Sequence, residues 1–320
     1  MINLDNYLDD QMILKSRIHP LKTFPNGCYV KRDDELSFGI SGSKYRKYSS
    51  LIHYLQKAKI NKVALVGSSF SNHILGMVQL LIEKEIDYHL YLLKSHEHRP
   101  VGNLGLIHLF SNPCKIDYLD HDQWHLKDDI IPKMLGENDF YIPEGGSCFE
   151  SLYGSISLAF DIASNEKSIS KTFDTIFIDA GTGFSACGLL LGLSLLEKKP
   201  HVYIIQLYHE PSKFLSNLAF FKNEIEKRHN ISLSLPPFTL HRSMIGASFG
   251  SVSEKIFDEI TFYAKKEGFL LDPIYSAKLF ATAKSILSDH CIESSSLIIH
   301  SGGALTLMGF QEQLFSKILM

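Results

Sequence analysis

The sequence predicts an α/β fold of mostly parallel strands flanked by helices, and three observations support this prediction. Short, almost wholly apolar segments such as 62–66 and 175–179 are typical of strands that are buried on both faces. Longer segments between them carry apolar residues every three or four positions, which indicates amphipathic helices. Glycine- and serine-rich turns follow several of the apolar segments. Strands that alternate with helices in this way form βαβ units and parallel sheets.

The first part of the chain contains one early strand and then alternating elements. Residues 1–30 lack a clear period and are predicted to be irregular until a strand at 28–31. A helix begins at Lys44, where apolar residues recur at helical spacing after a turn of two glycines and two serines, and Ser43 is placed to cap it. Apolar runs then predict further strands, and helical periodicity predicts further helices. The predicted strands are 62–66, 88–93 and 115–119, and the helices follow residue 72 and cover 103–110.

The second part repeats the alternation over a longer stretch. Helical periodicity covers 153–163, 213–229 and 253–267, and an apolar helix follows residue 188. Apolar runs predict strands at 175–179 and 202–207, a strand at 270–276 that leaves the sheet, and a last strand at 296–300. Helices follow the last two strands. A chain of 320 residues suggests about two domains.

Composition excludes several classes of protein. A hydrophobic content of 45% and a net charge of −3, without a basic block, argue against binding to nucleic acid. The polar, acidic N-terminus is unlike a signal peptide, and the longest apolar run, 189–196, is too short to span a membrane. Five scattered cysteines indicate free thiols in a reducing cytoplasm. His96 and His98 have no further ligand cluster nearby, so no metal site is predicted.

Lys44 is a candidate nucleophile. It lies in the first turn of its helix, where the partial positive charge of the helix end disfavours an ammonium group. Arg46 and Lys47 act in the same direction. A neutral amine at this position can form a Schiff base with an aldehyde. The alternative interpretation is a solvated basic helix start.

Gly181-Thr182-Gly183-Phe184-Ser185 joins a predicted strand to a helix and can bind an anion. Consecutive N–H groups and two hydroxyls can converge there on one phosphate. A dinucleotide site is an alternative because Glu210 follows the next strand, although Gly181, Gly183 and Gly188 do not fit the expected glycine spacing. A tight turn without a ligand is the other alternative.

Two more pairs of neighbouring residues carry side chains that could bind a ligand or take part in catalysis. Ser71 and Asn72 open a helix whose free N–H groups suit a carboxylate, and the Asn72 amide can donate to a phenolate-type oxygen. Tyr275 and Ser276 lie at the predicted carboxyl end of a strand, where Ser276 could bond a ring nitrogen and Tyr275 could act as an acid or base. The alternatives are ordinary helix capping, a core tyrosine and a turn serine.

Together these stretches resemble the 1-aminocyclopropane-1-carboxylate deaminase/D-cysteine desulfhydrase family of pyridoxal-phosphate enzymes. The resemblance covers about 270 residues, with its motifs in the family's order. The motifs are Lys31-Arg32-Asp33-Asp34, Gly42-Ser43-Lys44-Tyr45-Arg46-Lys47, Ser71-Asn72-His73, Gly102-Asn103-Leu104, Leu271-Asp272-Pro273-Ile274-Tyr275 and His300-Ser301-Gly302-Gly303-Ala304.

The resemblance implies a tryptophan-synthase-β-like fold, PLP fold type II, with two mostly parallel twisted sheets. A larger coenzyme-binding domain (1–46 and 152–320) would enclose a smaller α/β domain (47–151), with the active site between them. The family also implies a homodimer, a small amino-acid substrate and pyridoxal 5'-phosphate as cofactor.

The resemblance also assigns roles to single residues. Lys44 would be the Schiff-base lysine. Asn72 would bond the ring oxygen, Ser276 would meet the pyridine nitrogen, and Lys47 would belong to the coenzyme site. The phosphate would bind at Gly181, Thr182, Gly183, Phe184 and Ser185, and Ser71 and Tyr275 would face the substrate.

Position 276 bears on the reaction. Deaminases of this family place a glutamate there, whereas a serine favours a neutral ring nitrogen and a weaker electron sink. That favours β-elimination, with D-cysteine as the expected substrate. The alternatives are the deaminase and a coenzyme-binding protein without turnover. Ser43, Phe70 and Phe249 depart from the family pattern.

Overall fold

Six strands form the larger of two sheets in a computed structural model, which describes residues 2–25, 27–37, 42–95, 101–207, 210–246, 248, 250–289 and 295–318. The order is β1-β2-β10-β7-β8-β9, and every neighbouring pair is parallel except β1–β2. These strands are β1 (Ile18–Pro20), β2 (Cys28–Lys31), β7 (Thr175–Ala180), β8 (His201–Gln206), β9 (Phe238–Arg242) and β10 (Ser296–Ile299).

Four parallel strands form the smaller sheet, in the order β5-β4-β3-β6. All four lie in sequence between β2 and β7, so the smaller sheet is inserted between two strands of the larger one. They are β3 (Lys62–Ser68), β4 (Asp87–Leu93), β5 (Ile116–Leu119) and β6 (Asp139–Ile142). The two mostly parallel sheets agree with the predicted fold class, while the domain limits near residues 46 and 151 stay a prediction.

Helices cover both faces of the larger sheet. One core cluster packs α5, α6 and α7 against it, and a second packs α8 and α9 against the other face. A third cluster joins α1, α2 and α3 to the smaller sheet. The helices are α1 (Lys44–Lys57), α2 (Asn72–Glu83), α3 (Gly102–Phe110), α4 (His121–Ile130), α5 (Leu152–Ser168), α6 (Phe184–Leu195), α7 (Pro211–His229), α8 (Glu254–Glu267), α9 (Ser276–Asp289) and α10 (Gln311–Ile318).

The prediction of a strand at 270–276 is wrong. The segment is a turn that leads directly into α9. The Asp272 carboxylate accepts hydrogen bonds from the N–H groups of Ile274 and Tyr275 at 2.9 and 3.0 Å, which curls the backbone away from a sheet. The elements β1, β6, β9 and α4 were not predicted. The three strands have only three to five residues, too few for a clear period, and α4 is mostly polar.

Three further sequence predictions concern metal binding, membrane spans and cysteines. Within the described ranges, no group of three or more His, Cys, Asp or Glu side chains is arranged to hold a metal ion. No described helix combines the length and apolar content needed to cross a bilayer. The four cysteines in the described ranges are free. Gly39, Ile40, Ser41, His96, His98, Phe249 and Cys291 lie outside the described residues.

Candidate active site

The start of α1 packs directly on the turn after β10. The Ser43 N–H donates to the Ser301 carbonyl oxygen at 2.9 Å. Gly42 has a φ of +52°, and a Cβ atom there would collide with the Ser301 carbonyl and lie 2.8 Å from the Gly302 Cα. Only glycine fits at this contact. Ser43 occupies the N-cap position but its side chain makes no capping bond, so the predicted cap is wrong.

Lys44 is the first residue of α1 and its amine lies 4.8 Å from the centre of the Tyr275 ring. Burial lowers the pKa of Lys44, and the charges of Asp179 and Asp272 partly oppose this shift. The predicted direction therefore agrees with the structure, but the predicted cause does not. Desolvation is the main effect, and the Arg46 guanidinium is directed into ion pairs with Asp33 and Asp161.

Lys47 is 4% exposed, and its amine donates to the Gly145 carbonyl oxygen. Burial, and then the charge of Lys44, lowers the pKa of Lys47 to about 7. A Cβ atom at Gly145 would lie 2.8 Å from the Thr182 side chain, and the Ser147 hydroxyl bonds to that of Thr182 at 3.4 Å. Lys47 is thus linked through one residue to the glycine-rich loop after β7.

That loop turns sharply between β7 and α6. Gly183 is the N-cap of α6, with a φ of +80°, and a Cβ atom there would lie 2.6 Å from the Phe214 ring. Phe184 is 3% exposed and packs edge to face against Phe221. Its side chain therefore belongs to the core, and only its backbone N–H can meet a ligand.

Asn72 is held in one orientation by two neighbours. Its Oδ1 accepts from Asn103 Nδ2 at 2.7 Å and from Thr306 Oγ1 at 3.1 Å. Its Nδ2 faces Gly303, whose added Cβ atom would lie 3.3 Å away. The preceding Ser71 caps α2 by accepting from two backbone N–H groups, and its hydroxyl can still donate its own proton.

Ser276 is fully buried at the start of α9. Its hydroxyl donates to Asp272 Oδ1 at 2.8 Å and accepts from the Asp272 N–H at 2.6 Å. Its donor capacity is therefore spent on Asp272, and its remaining capacity is that of an acceptor. Burial, followed by Asp272, Asp179 and Glu144, raises the pKa of Tyr275.

The structure thus brings most of the predicted residues together. Lys44 contacts Tyr275, Lys47 is linked to Thr182, and Gly303 lies between Asn72 and Asp272. The sequence analysis placed Asn103 in a family motif without giving it a role, and it missed Thr306; both residues orient Asn72. It also missed Asp179. The available signal for Asp179 was a charged residue within an otherwise apolar strand.

Comparisons with known proteins show which family the chain belongs to. Residues 12–302 match the family model described as pyridoxal-phosphate dependent enzyme. A putative 1-aminocyclopropane-1-carboxylate deaminase of Pyrococcus furiosus is 25% identical over 312 residues, 93% of each chain. D-cysteine desulfhydrase of Serratia proteamaculans is 25% identical over 302 residues, 89% of each chain.

A bifunctional D-cysteine desulfhydrase/1-aminocyclopropane-1-carboxylate deaminase of Arabidopsis thaliana is also similar, with 26% identity over 92% of this chain and 77% of its own. The crystal structure of an ACC deaminase homologue has the same fold, with a TM-score of 0.81 over 97% of this chain and 95% of its own, at 24% identity. The protein therefore belongs to the pyridoxal-phosphate dependent enzymes, and its cofactor is pyridoxal phosphate.

Proposed function

We propose that the protein is a lyase that carries out α,β-elimination on D-cysteine or a similar β-substituted D-amino acid. The buried Lys44 amine, with its lowered pKa, beside Tyr275 supports the pyridoxal-phosphate chemistry. The uncharged Ser276, at the position where deaminases of the resembled family carry a glutamate, supports elimination over ring opening. Bound pyridoxal phosphate supplies an electron sink for the charge that develops at the substrate α-carbon. We also infer a homodimer, as in the family that the sequence resembles.

The residues present fit this coenzyme. Gly303 has a φ of +93°, and an added Cβ atom would lie 3.3 Å from both Asn72 Nδ2 and Asp272 Cγ, so a glycine here leaves the space beside these two side chains open. We propose that Lys44 binds the aldehyde carbon, and that Asn72 Nδ2 donates to the ring oxygen. Its fixed orientation supports that role.

The phosphate would bind at the start of α6. Backbone N–H groups and hydroxyls of Gly181, Thr182, Gly183, Phe184 and Ser185 would donate to it. The left-handed Gly183 supports this role because it lets the chain turn so that successive N–H groups converge. Lys47 would supply a positive charge from the opposite side, since it is linked to Thr182 through Gly145.

The amino acid would bind beside Lys44. Its carboxylate would accept from the Ser71 hydroxyl and from the start of α2, where the helix dipole favours an anion. Lys44 would remove the α-proton, and the Cβ–S bond would break with its electron pair leaving as hydrosulfide. The enamine product would hydrolyse to pyruvate and ammonia. Tyr275 would face the departing group.

The deaminase is a second candidate, and the hydrogen bond that Ser276 makes favours it. A neutral ring nitrogen, as predicted from the sequence, requires the Ser276 hydroxyl to donate a hydrogen bond to that nitrogen. Since that proton is bonded to Asp272 Oδ1 at 2.8 Å, Ser276 can serve only as an acceptor. An acceptor favours a protonated ring nitrogen and hence a deeper electron sink, which ring opening of 1-aminocyclopropane-1-carboxylate needs.

Both candidates can be tested in one assay. The purified protein, loaded with coenzyme, is incubated separately with D-cysteine, L-cysteine and 1-aminocyclopropane-1-carboxylate. We expect sulfide and pyruvate from D-cysteine, and neither from the Lys44→Ala control. 2-Oxobutanoate from the cyclopropane substrate, without sulfide from D-cysteine, would select the deaminase.

A further inference from the structure

A cavity of about 470 Å³ lies at the far end of α1 from the coenzyme site. Its walls come from the second half of α1, residues 149–150, the start of α5, the end of α7 and residues 6–7. Lys57 in this wall is about 15 Å along the axis of α1 from Lys47, since each helical residue adds about 1.5 Å. The volume is within the range of roughly 300–1,000 Å³ that is usual for small-molecule sites.

One wall of the cavity is aromatic. Tyr7 and Tyr153 stack with their ring centres 3.9 Å apart and an angle of 14° between the rings. Phe149 meets Tyr153 edge to face, with the ring centres 5.6 Å apart. The Tyr153 hydroxyl is hydrogen-bonded to His229 Nε2 at 2.8 Å, which fixes the orientation of that ring. A wall of aromatic rings held in this way suits a ligand with a flat ring, because such a ring gains from stacked and edge-to-face contacts.

Two cationic side chains line the same cavity. The Arg228 guanidinium lies 3.7 Å from the centre of the Phe149 ring, and this contact holds its orientation. Within the described part of the chain, Arg228 is paired with Glu224 through Nε at 3.5 Å, so its two Nη groups are left as donors. Lys57 is the second cation of the lining. A carboxylate or a phosphate can accept charge-assisted hydrogen bonds from both side chains.

The charge of the lining also favours an anion. Among the described residues that line the cavity, Glu150 is the acid and Lys57 and Arg228 are the bases, so the lining has one more positive charge than negative charges. Protonation of either lining histidine would increase this excess. An open depression beside the cavity shares Tyr7 and Lys57 with it, and Asp5 lines only the depression. The depression gives a ligand a route into the cavity from solvent.

We propose that this cavity is a second ligand site, separate from the coenzyme site, and that it binds a small organic anion in which a flat ring carries a carboxylate or a phosphate. The ring packs against the aromatic wall of Tyr7, Tyr153 and Phe149. The anionic group accepts hydrogen bonds from Arg228 and Lys57. This site is additional to the proposed function, since Lys44 and the groups around it take no part in it.

Isothermal titration calorimetry of the coenzyme-loaded enzyme, freed of excess coenzyme, tests the proposal. Loading matters because the coenzyme is itself a ring with a phosphate, and its own site is then filled. The probes are adenosine 5'-monophosphate and indole-3-acetate, which carry a ring with a phosphate and with a carboxylate, respectively. Adenosine, indole and inorganic phosphate each lack one of the two parts.

We expect at least one of the two ring-bearing anions to bind. Adenosine, indole and inorganic phosphate should bind more weakly than that anion by about tenfold or more, because each loses either the charge-assisted hydrogen bonds or the ring contacts. Binding of the nucleotide alone would identify a phosphate ligand, and binding of the indole acid alone a carboxylate ligand. If neither anion binds, or if inorganic phosphate binds as tightly as the ring-bearing anions, the proposal is wrong.

Two variants locate the bound anion. Arg228→Gln removes the charged donors from an exposed position, so the protein should fold and its affinity for the anion should fall about tenfold or more. Arg17→Gln is the matched control and should bind as the wild type does. Arg17 is 60% exposed and paired with Glu35, much as Arg228 is 52% exposed and paired with Glu224.

Tyr7→Ala removes one ring of the aromatic wall and should also weaken binding of the ring-bearing anion. Equal affinity in the wild type and Arg228→Gln would place the ligand elsewhere and overturn the proposal. The experiment measures binding and not turnover. An enzyme that leaves D-cysteine unchanged would therefore count against the proposed function and leave the result for this cavity intact.

Discussion

Lys47 illustrates how burial tunes a single residue of the site. A lysine amine that is almost without solvent contact and lies near a second lysine is easily deprotonated. A bound phosphate would reverse this, because the dianion stabilises the ammonium. With the proposed role of Lys47 at the phosphate, coenzyme capture would be coupled to uptake of a proton at Lys47, and the empty site would avoid the cost of two buried positive charges.

Lys47→Met should change how the stability of the coenzyme-free protein depends on pH. The pKa of Lys47 falls from 10.5 to about 7 on folding, so between these values the unfolded chain binds more protons at this residue than the folded chain does. The stability that the neutral Lys47 amine contributes is therefore fully present above pH 10.5, and it is lost as the pH falls to about 7.

Between neutral and alkaline pH, the free energy of unfolding of the wild type should therefore rise relative to that of Lys47→Met. The slope should be roughly 1 kcal/mol per pH unit. Urea denaturation at several pH values measures it, and Lys213→Met should follow the wild type. A wild-type curve parallel to that of Lys47→Met would contradict this interpretation of Lys47.

At the scale of elements, α1 is held by a buried charge network at its first turns. Arg46 forms ion pairs with Asp33 at 2.7 Å and with Asp161 of α5 at 2.6 Å, and Lys31 of β2 joins Asp161 at 2.5 Å. Burial acts to raise the pKa of Asp33, but Arg46 and Lys31 outweigh it, so the net pKa is lowered. The network fixes the helix that carries Lys44 against the larger sheet.

Arg46→Met should be strongly destabilising, because it leaves two carboxylates buried with one lysine between them. We expect a loss of about 3–5 kcal/mol in the free energy of unfolding. Arg17→Met is the matched control, since the Arg17–Glu35 pair is 60% and 37% exposed and should contribute less than about 1 kcal/mol. Similar losses in the two variants would contradict a structural role for the network.

At the scale of the whole molecule, the sequence was a good guide to architecture. Buried parallel strands are easy to predict because they form short, mostly apolar runs, and the predictions for β3, β4, β7, β8 and β10 agree with the structure within a few residues. The turn at 270–276 was mistaken for a strand because its sequence is mostly apolar, whereas the Asp272 side chain organises its backbone. A side-chain-to-backbone interaction of this kind leaves no period in the sequence.

The site was predicted less completely than the fold. Motifs located Lys44, Asn72 and the loop after β7, because each of these stands at the end of a strand or the start of a helix. The supporting residues Asn103, Ser301 and Thr306 come from distant segments, and only the packing of α3 and the turn after β10 brings them near. Long-range contacts of this kind have no local signature.

The central claim is that the Lys44 amine holds the coenzyme, and one measurement tests it most directly. The protein is mixed with pyridoxal phosphate, its visible spectrum is recorded, and it is reduced with borohydride and digested. We predict an absorbance band that borohydride removes, and a single phosphopyridoxyl group on the peptide that contains Lys44. Attachment to another buried lysine, such as Lys47 or Lys278, or a protein that stays colourless with added coenzyme, would contradict the account.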